Sequence, residues 1–347
     1  MLTDLRLRDF RCFDSLEFSP GRGRTFISGA NAQGKTSLLE ALCILLRLQS
    51  PRTTATADAI RFGSSGFFLD GHCAGAHLLC RYSPAGREIA LDSKLQSRTD
   101  DYLDVARVAW FANTDIELVR GGGGVRRRYL DFLGMQCLPG YRTSLRAYER
   151  ALRSRNALLK DNRPRREIEA FDRPLVEAGD ILLASRASLV ADLAPLARQA
   201  CIEISGGGDA LEISYQPGAA GPLAAALAAS RAEEARLRQT PVGPHRDDLG
   251  LSLNRHDATG FSSEGQQRGI ALALKLAQAR HLESIQHRAP ILLLDDIFGE
   301  LDRPRRNRLL ASLPARSQAI ITTTFLDWAD RSGEDAFFRL DAGRLEC

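Results

Sequence analysis

Gly29-Ala30-Asn31-Ala32-Gln33-Gly34-Lys35-Thr36 is the stretch whose reading decides the fold. It follows the apolar run Thr25-Phe26-Ile27 and opens into the helix-forming Ser37-Leu38-Leu39-Glu40-Ala41-Leu42. The spacing G-x-x-x-x-G-K-T between a strand and a helix is that of a phosphate-binding loop. Gly29 and Gly34 permit backbone conformations that a Cβ would obstruct, so successive N–H groups can turn inward around phosphate oxygens. The loop feeds a helix N-terminus, where unpaired N–H groups and the macrodipole favour anions. Lys35 is placed to reach β- and γ-phosphates, and the Thr36 hydroxyl to hold Mg²⁺. Gly29, Ala30, Asn31, Ala32, Gln33, Gly34, Lys35, Thr36 and Ser37 therefore form the candidate cradle, with ATP and Mg²⁺ as the expected ligands.

A second half of such a site stands far downstream. Ile291-Leu292-Leu293-Leu294-Asp295-Asp296 is a continuous apolar run ending in two carboxylates. Buried parallel strands have that composition, and α/β sheets place ligand groups at strand C-termini. Asp295 is the natural Mg²⁺ partner; Asp296 is the candidate to polarise an attacking water. Between the two halves, Phe261-Ser262-Ser263-Glu264-Gly265-Gln266 leads into the helical run from Ala271 to Ala277. Ser263 and Gly265 at a helix start make another anion-binding geometry. One nucleotide does not need two such helix starts in one subunit, which points to a second copy.

The segments around these motifs set the domain expectations. Leu5 and Leu7 alternate with Arg6 and Arg8, and Leu16 and Phe18 flank Glu17, giving three strands before the first helix. Strand-like segments at 67–70, 77–82, 88–91 and 105–111 predict an antiparallel β portion. At Gly121-Gly122-Gly123-Gly124 the pattern turns helical, so the run reads as a flexible turn and boundary. Helical spacing then covers 125–138, 141–159 and 168–193, the last limited by Pro174 and Pro195. A strand at 211–215 and a helix at 222–238 follow. The expected architecture is an ATPase head from 1–120 and 241–347, with a helical arm at 121–240 and no sustained heptads.

Composition excludes more than it assigns. In 347 residues, 47 Lys+Arg against 43 Asp+Glu leave a net charge of +4, so any nucleic-acid surface must be a local arginine cluster. Arg126-Arg127-Arg128, with Arg142, Arg146, Arg150, Arg153 and Arg155 downstream, could track phosphates or form a solvated helical face. The seven cysteines, Cys347 among them, contain no C-x-x-C pair and read as scattered thiols of a reducing compartment. Charges interrupt the N-terminus and no apolar run approaches a bilayer span, so a cytoplasmic protein without a membrane partner is expected.

These pieces in this order resemble the SMC/ABC-type ATPase superfamily, and within it the RecF family. The matching stretches are Leu2–Phe13, Gly29–Leu42, Leu118–Leu133, Gly243-Pro244-His245-Arg246-Asp247-Asp248-Leu249, Ser263–Ala277 and Leu292–Asp302. The Gly-Pro-His-Arg-Asp-Asp-Leu stretch is the most specific, since ABC transporters and SMC proteins do not share it. The resemblance implies an α/β fold, an ABC-type P-loop ATPase head with an antiparallel β subdomain plus a small helical arm domain. It implies an ATP-dependent homodimer in which Ser263, Gly265 and Gln266 of one copy close over the phosphate held by Lys35 of the other, with Asp302 at the interface. It further implies Asp295 as the Mg²⁺-linked carboxylate, Asp296 as catalytic base, and slow hydrolysis. The implied partners are single- and double-stranded DNA at gaps or junctions and RecO- and RecR-like proteins. A different reading is the ATPase component of a nuclease or defence complex with a RecF-like head. Two positions depart from the family pattern: Ala32 stands where glycine is usual, and Gly299 where serine is usual. The histidine of transporters has no counterpart after Ala319-Ile320-Ile321, where Thr322-Thr323-Thr324 stands instead.

Overall fold

The structure, a computed structural model, describes residues 1–53, 55–286, 289–326 and 335–346; Cys347 lies outside the described residues. In chain order, β1 (Leu2–Phe10), β2 (Phe13–Phe18) and β3 (Arg24–Ser28) precede α1 (Lys35–Arg47). Next come β4 (Phe67–Cys73), β5 (Ala76–Ser83), β6 (Gly86–Leu91), β7 (Lys94–Leu95), α2 (Asp100–Asp104) and β8 (Val108–Ala112). A helical stretch follows: α3 (Glu117–Arg120), α4 (Gly123–Cys137), α5 (Tyr141–Lys160), α6 (Arg165–Glu169) and α7 (Asp172–Ser205). After β9 (Leu211–Gln216), α8 (Leu223–Ala229) and α9 (Arg231–Leu237) lie β10 (Asp248–Leu253), β11 (His256–Asp257), α10 (Ala258–Phe261) and α11 (Glu264–Gln286). The chain closes with β12 (Ile291–Asp295), α12 (Arg303–Ser312), β13 (Ala319–Thr323), β14 (Ala336–Asp341) and β15 (Arg344–Glu346).

The first compact unit joins Met1–Asp115 with the residues from Gln278 onward. Its antiparallel sheet has the order β2-β1-β4-β5-β6-β7. The alternation in β1 sets which face is which: Leu5, Leu7 and Phe10 are buried while Arg6 and Arg8 point outward. The second sheet has the order β15-β14-β3-β13-β12-β8, parallel except for the β14–β15 hairpin. Ile291 to Leu294 are buried on both faces of it, as an interior parallel strand requires. Helix α1 is buried nearly all round, and full burial of each leucine in it contributes about 1.5–3 kcal/mol. Its end is held by Arg47, which donates to the Leu103 and Ala106 carbonyls at 2.7 and 2.8 Å. Residues 105–111, expected in the antiparallel portion, instead supply β8 at the parallel sheet's edge. Val108, Ala109, Trp110 and Phe111 are all buried there, so a half-exposed antiparallel position would not suit them.

The second unit runs from Ile116 to Ala277. Its core packs α5 against α7 through Tyr141, Tyr148, Leu175 and Leu182. A three-stranded antiparallel sheet, β11-β10-β9, completes it. The boundaries thus fall at 115/116 and 277/278, whereas the arm was expected to span 121–240. The physical reason is strand pairing: β10 joins β9 over six residue pairs, from Asp248↔Gln216 to Leu253↔Leu211, and draws the segment after 241 into the helical unit. The glycine run is no linker either. A Cβ on Gly121 would lie 2.6 Å from the Glu117 carbonyl, and one on Gly123 3.0 Å from the Asp248 carboxylate. Gly121 ends α3 and Gly123 opens α4 at close contacts, while Gly122 and Gly124 have room for a side chain. Pro195 does not end its helix: α7 continues ten residues past it to Ser205, tolerating the lost backbone bond within a well-buried stripe.

Candidate nucleotide site

The phosphate loop connects the end of β3 to the start of α1, and its glycines are dictated by close contacts. A Cβ on Gly29 would stand 2.3 Å from the Leu340 carbonyl oxygen. Gly34 has φ +105°, and a Cβ there would meet the Phe13 ring at 2.7 Å and the Cys12 Sγ at 2.8 Å. The Gln33 side chain is anchored, accepting the Ala342 N–H at 2.7 Å. Ala32 has φ +66°, so the position where the family usually carries glycine does need the left-handed region. That conformation costs an alanine about 1–2 kcal/mol, against about 0.4–1 kcal/mol for the extra unfolded-state entropy of glycine. Ala32→Gly is therefore expected to stabilise the nucleotide-free protein by about 0.5–1 kcal/mol, read as a higher Tm. A lower Tm would mean that the methyl group packs usefully.

Lys35 is 6% exposed, and its Nζ donates to the Gly29 and Ala30 carbonyls at 2.5 and 2.8 Å. Burial lowers its pKa, opposed by the Asp296 and Asp295 carboxylates. At the end of β12, Asp295 Oδ1 accepts the Thr36 hydroxyl at 2.9 Å and the Thr322 hydroxyl at 3.0 Å. Burial pushes the Asp295 carboxyl up, while those two donors hold it down. Asp296 follows in the left-handed region, φ +51°, and its Oδ1 is buried without a hydrogen-bond partner. Burial raises its pKa, the Lys35 charge lowers it, and Glu300 raises it again; the net shift is upward, as a proton acceptor needs. A cation beside the loop, a hydroxyl and carboxylate pair of hard oxygens, and an orphaned buried acid oxygen together suit a magnesium-bound triphosphate. Gly299 leaves open space, since a Cβ there would only approach Asp296 Oδ1 at 3.7 Å.

A family model described as an AAA domain matches residues 4–72. The chain is 35% identical over 361 residues to the DNA replication and repair protein RecF of Citrifermentans bemidjiense, covering 99% of each. It is 39% identical over 367 residues to that of an Anaeromyxobacter species, covering 99% of this chain and 98% of the relative. The chain belongs to the RecF family. A solved structure of the recombination mediator protein RecF with ATP matches at TM-score 0.89 and 29% identity, covering 99% of this chain and 96% of that one. An Smc head bound to the C-terminal winged-helix domain of ScpA matches at TM-score 0.57 and 14% identity, a likeness of fold alone.

The remaining residues expected at a RecF nucleotide site have structural partners of their own. Ser263 and Gln266 form a capping box at the start of α11: Ser263 Oγ accepts the Gln266 N–H at 3.3 Å, and Gln266 Oε1 accepts the Ser263 N–H at 3.0 Å. Gly265 follows Ser263 by two positions in the same first turn. Asp302 caps α12, accepting the Arg305 N–H at 2.7 Å. Lys35, Thr36, Asp295 and Asp296 are the predicted residues that the first unit brings together.

Two members of the arginine run, Arg126 and Arg127, are held within the helical unit. Arg126 is 7% exposed and holds Asp248 through two hydrogen bonds of 2.6 and 2.8 Å, while its Nη1 donates to the Gly121 carbonyl at 2.7 Å. Arg127 donates to the Asp247 carbonyl at 2.6 Å, and Arg155 is buried against Asp172 and Glu234. These three guanidinium groups brace the helical unit. Arg128, Arg146, Arg150 and Arg153 remain exposed.

Sequence reading missed Glu40. It is fully buried in α1 and accepts from Arg11, Ser50 and Arg52. Burial pushes its pKa up, but the Arg11 and Ser50 hydrogen bonds and the two arginine charges hold it below the ordinary value. A lone glutamate in a helix reads as a solvated face, and its partners come from both sides of α1 in the chain.

Proposed function

We propose that this chain is an ATP-switched DNA clamp of recombinational repair and replication-fork maintenance, acting in the cytoplasm. The observation that carries the reading is the phosphate loop facing an orphaned, buried Asp296 oxygen, in a chain that aligns end to end with RecF proteins. The loop N–H groups and Lys35 bind and orient the β- and γ-phosphates of ATP. Magnesium, when bound, supplies charge neutralisation there, and Thr36 and Asp295 are the residues that would hold it. Asp296 Oδ1 accepts a hydrogen bond from the attacking water and aligns it. An aspartate is one methylene shorter than a glutamate in that role, so turnover is expected below about 1 s⁻¹.

The start of α11 completes the reading. Ser263, Gly265 and Gln266 of a second copy close over the γ-phosphate, with Asp302 lining that contact, so that ATP makes the homodimer and hydrolysis releases it. The dimer holds gapped or junction DNA and helps load recombinase with RecO- and RecR-like partners. Binding through phosphate contacts makes it structure-selective rather than sequence-specific, and Arg128, Arg146, Arg150 and Arg153 are the exposed arginines of the set that could meet phosphates. In sedimentation with ATP and a gapped duplex, the wild type is expected to dimerise and retain DNA. Ser263→Arg should stay monomeric while binding ATP as the wild type does; the lost cap costs only about 1 kcal/mol. A Ser263→Arg protein that still dimerises on ATP would remove α11 from the interface.

A further inference from the structure

Asp296 occupies a conformation that its surroundings must enforce. A non-glycine residue in the left-handed region is strained and persists only where neighbours over-determine it. Two neighbours do so from opposite ends of the residue. The Asp296 N–H is shared between the Thr322 carbonyl oxygen at 3.2 Å and the Thr322 Oγ1 at 3.1 Å. The Asp296 carbonyl accepts Asn113 Nδ2 at 3.0 Å, from just beyond the end of β8. Thr322 is fully buried, and its hydroxyl proton goes to Asp295 Oδ1 at 3.0 Å. One hydroxyl therefore accepts from the backbone of Asp296 and donates to the side chain of Asp295. Neither neighbour touches the Asp296 Oδ1, which stays unpaired.

We infer that Thr322 and Asn113 are positioning residues for ATP hydrolysis, clamping the Asp296 backbone so that its free carboxylate oxygen is held beside the phosphate loop. The inference rests on the reading of Asp296 as the group that aligns the attacking water. Strands β12 and β13 are neighbours at the relevant level, with Asp295 opposite Thr322. Thr322 thus fixes both acids from one point on the adjacent strand. Asn113 locks the far side, so Asp296 cannot relax toward ordinary backbone angles.

The test uses the full chain carrying Thr322→Val, Thr322→Ser or Asn113→Ala. Partners one step removed from a reacting group typically cost about 10–100-fold when lost. Thr322→Val and Asn113→Ala are therefore expected to lower kcat by about 10–100-fold. In Asn113→Ala the KM for ATP should stay within about twofold, because neither a phosphate contact nor the Asp295 side chain is disturbed. Thr322→Ser keeps the hydroxyl and should restore kcat. Independently of turnover, amide hydrogen exchange at Asp296 in the nucleotide-free protein should speed up in Thr322→Val and Asn113→Ala but not in Thr322→Ser. If wild type hydrolyses ATP and Thr322→Val matches its kcat, the positioning role is overturned. If wild type hydrolyses no ATP under any condition, the catalytic reading of Asp296 fails first. Unchanged exchange at Asp296 in both variants overturns the clamp whatever the turnover.

Discussion

Lys35→Ala is expected to weaken ATP binding by about 10²–10³-fold and to erase any ATP-induced shift in sedimentation. In the nucleotide-free protein the ammonium group already spends two of its three donors on the Gly29 and Ala30 carbonyls, so it lies across the loop. Phosphate oxygens replace those carbonyls with charged acceptors, and each charge-assisted bond contributes about 1.5–3 kcal/mol net. Losing two such bonds removes about 3–6 kcal/mol, and the lower end of that range sets the expected factor. Titration with a fluorescent ATP analogue measures it directly. A variant that binds within tenfold of wild type would show that backbone N–H groups carry the affinity and that Lys35 is no phosphate ligand. Folding is not expected to confuse the result, because the carbonyls that Lys35 releases lie on a partly exposed loop and can turn to water.

The phosphate loop was legible in the sequence because its motif encodes backbone conformation: Gly34 must be glycine at φ +105°, and Gly29 cannot carry a Cβ. The strand ending in Asp295-Asp296 was legible because both its faces are buried, which leaves an uninterrupted apolar run. What escaped reading depends on pairing across long separations. Nothing local in Leu211–Gln216 states that it pairs with Asp248–Leu253, yet that pairing moves the unit boundary from 241 to 277/278. The glycine run at 121–124 has a linker's composition but meets Glu117 and Asp248 at contact distance. Arg126 and Glu40 look like surface charges until the partners Asp248 and Arg11, distant in sequence, arrive beside them. Charge alone does not distinguish a phosphate ligand from a brace.

The Gly243–Leu249 stretch shows the same ambiguity, and its resolution carries the second large prediction. Asp247 is fully buried and accepts Arg186 Nη1 at 2.7 Å, the Tyr215 hydroxyl at 2.6 Å and the Gly218 N–H at 2.7 Å. Arg186 in turn donates to Asp131 at 2.7 Å and to the Pro244 carbonyl at 2.7 Å. His245 is held neutral: its Nδ1 accepts from the Tyr148 hydroxyl at 2.6 Å, its Nε2 meets the Thr240 carbonyl at 2.9 Å, and burial drives its pKa down to about 4. The motif is therefore the knot that ties α4, α5, α7 and β10 together, with no group left over for nucleotide chemistry except the exposed Arg246. Asp247→Ala takes the acceptor from the Tyr215 hydroxyl and the Gly218 N–H at once and removes one of the two carboxylates that balance the buried Arg186. Breaking a buried ion pair from one side costs about 3–5 kcal/mol, so urea unfolding should show the helical unit destabilised by that amount. Arg186→Met combined with Asp247→Leu should not recover the loss, because Asp131, the Tyr215 hydroxyl and the Gly218 N–H then lose these partners as well. At low temperature, where Asp247→Ala still folds, its affinity for ATP should match wild type. A folded Asp247→Ala protein that fails to bind ATP would give the motif a role at the nucleotide after all.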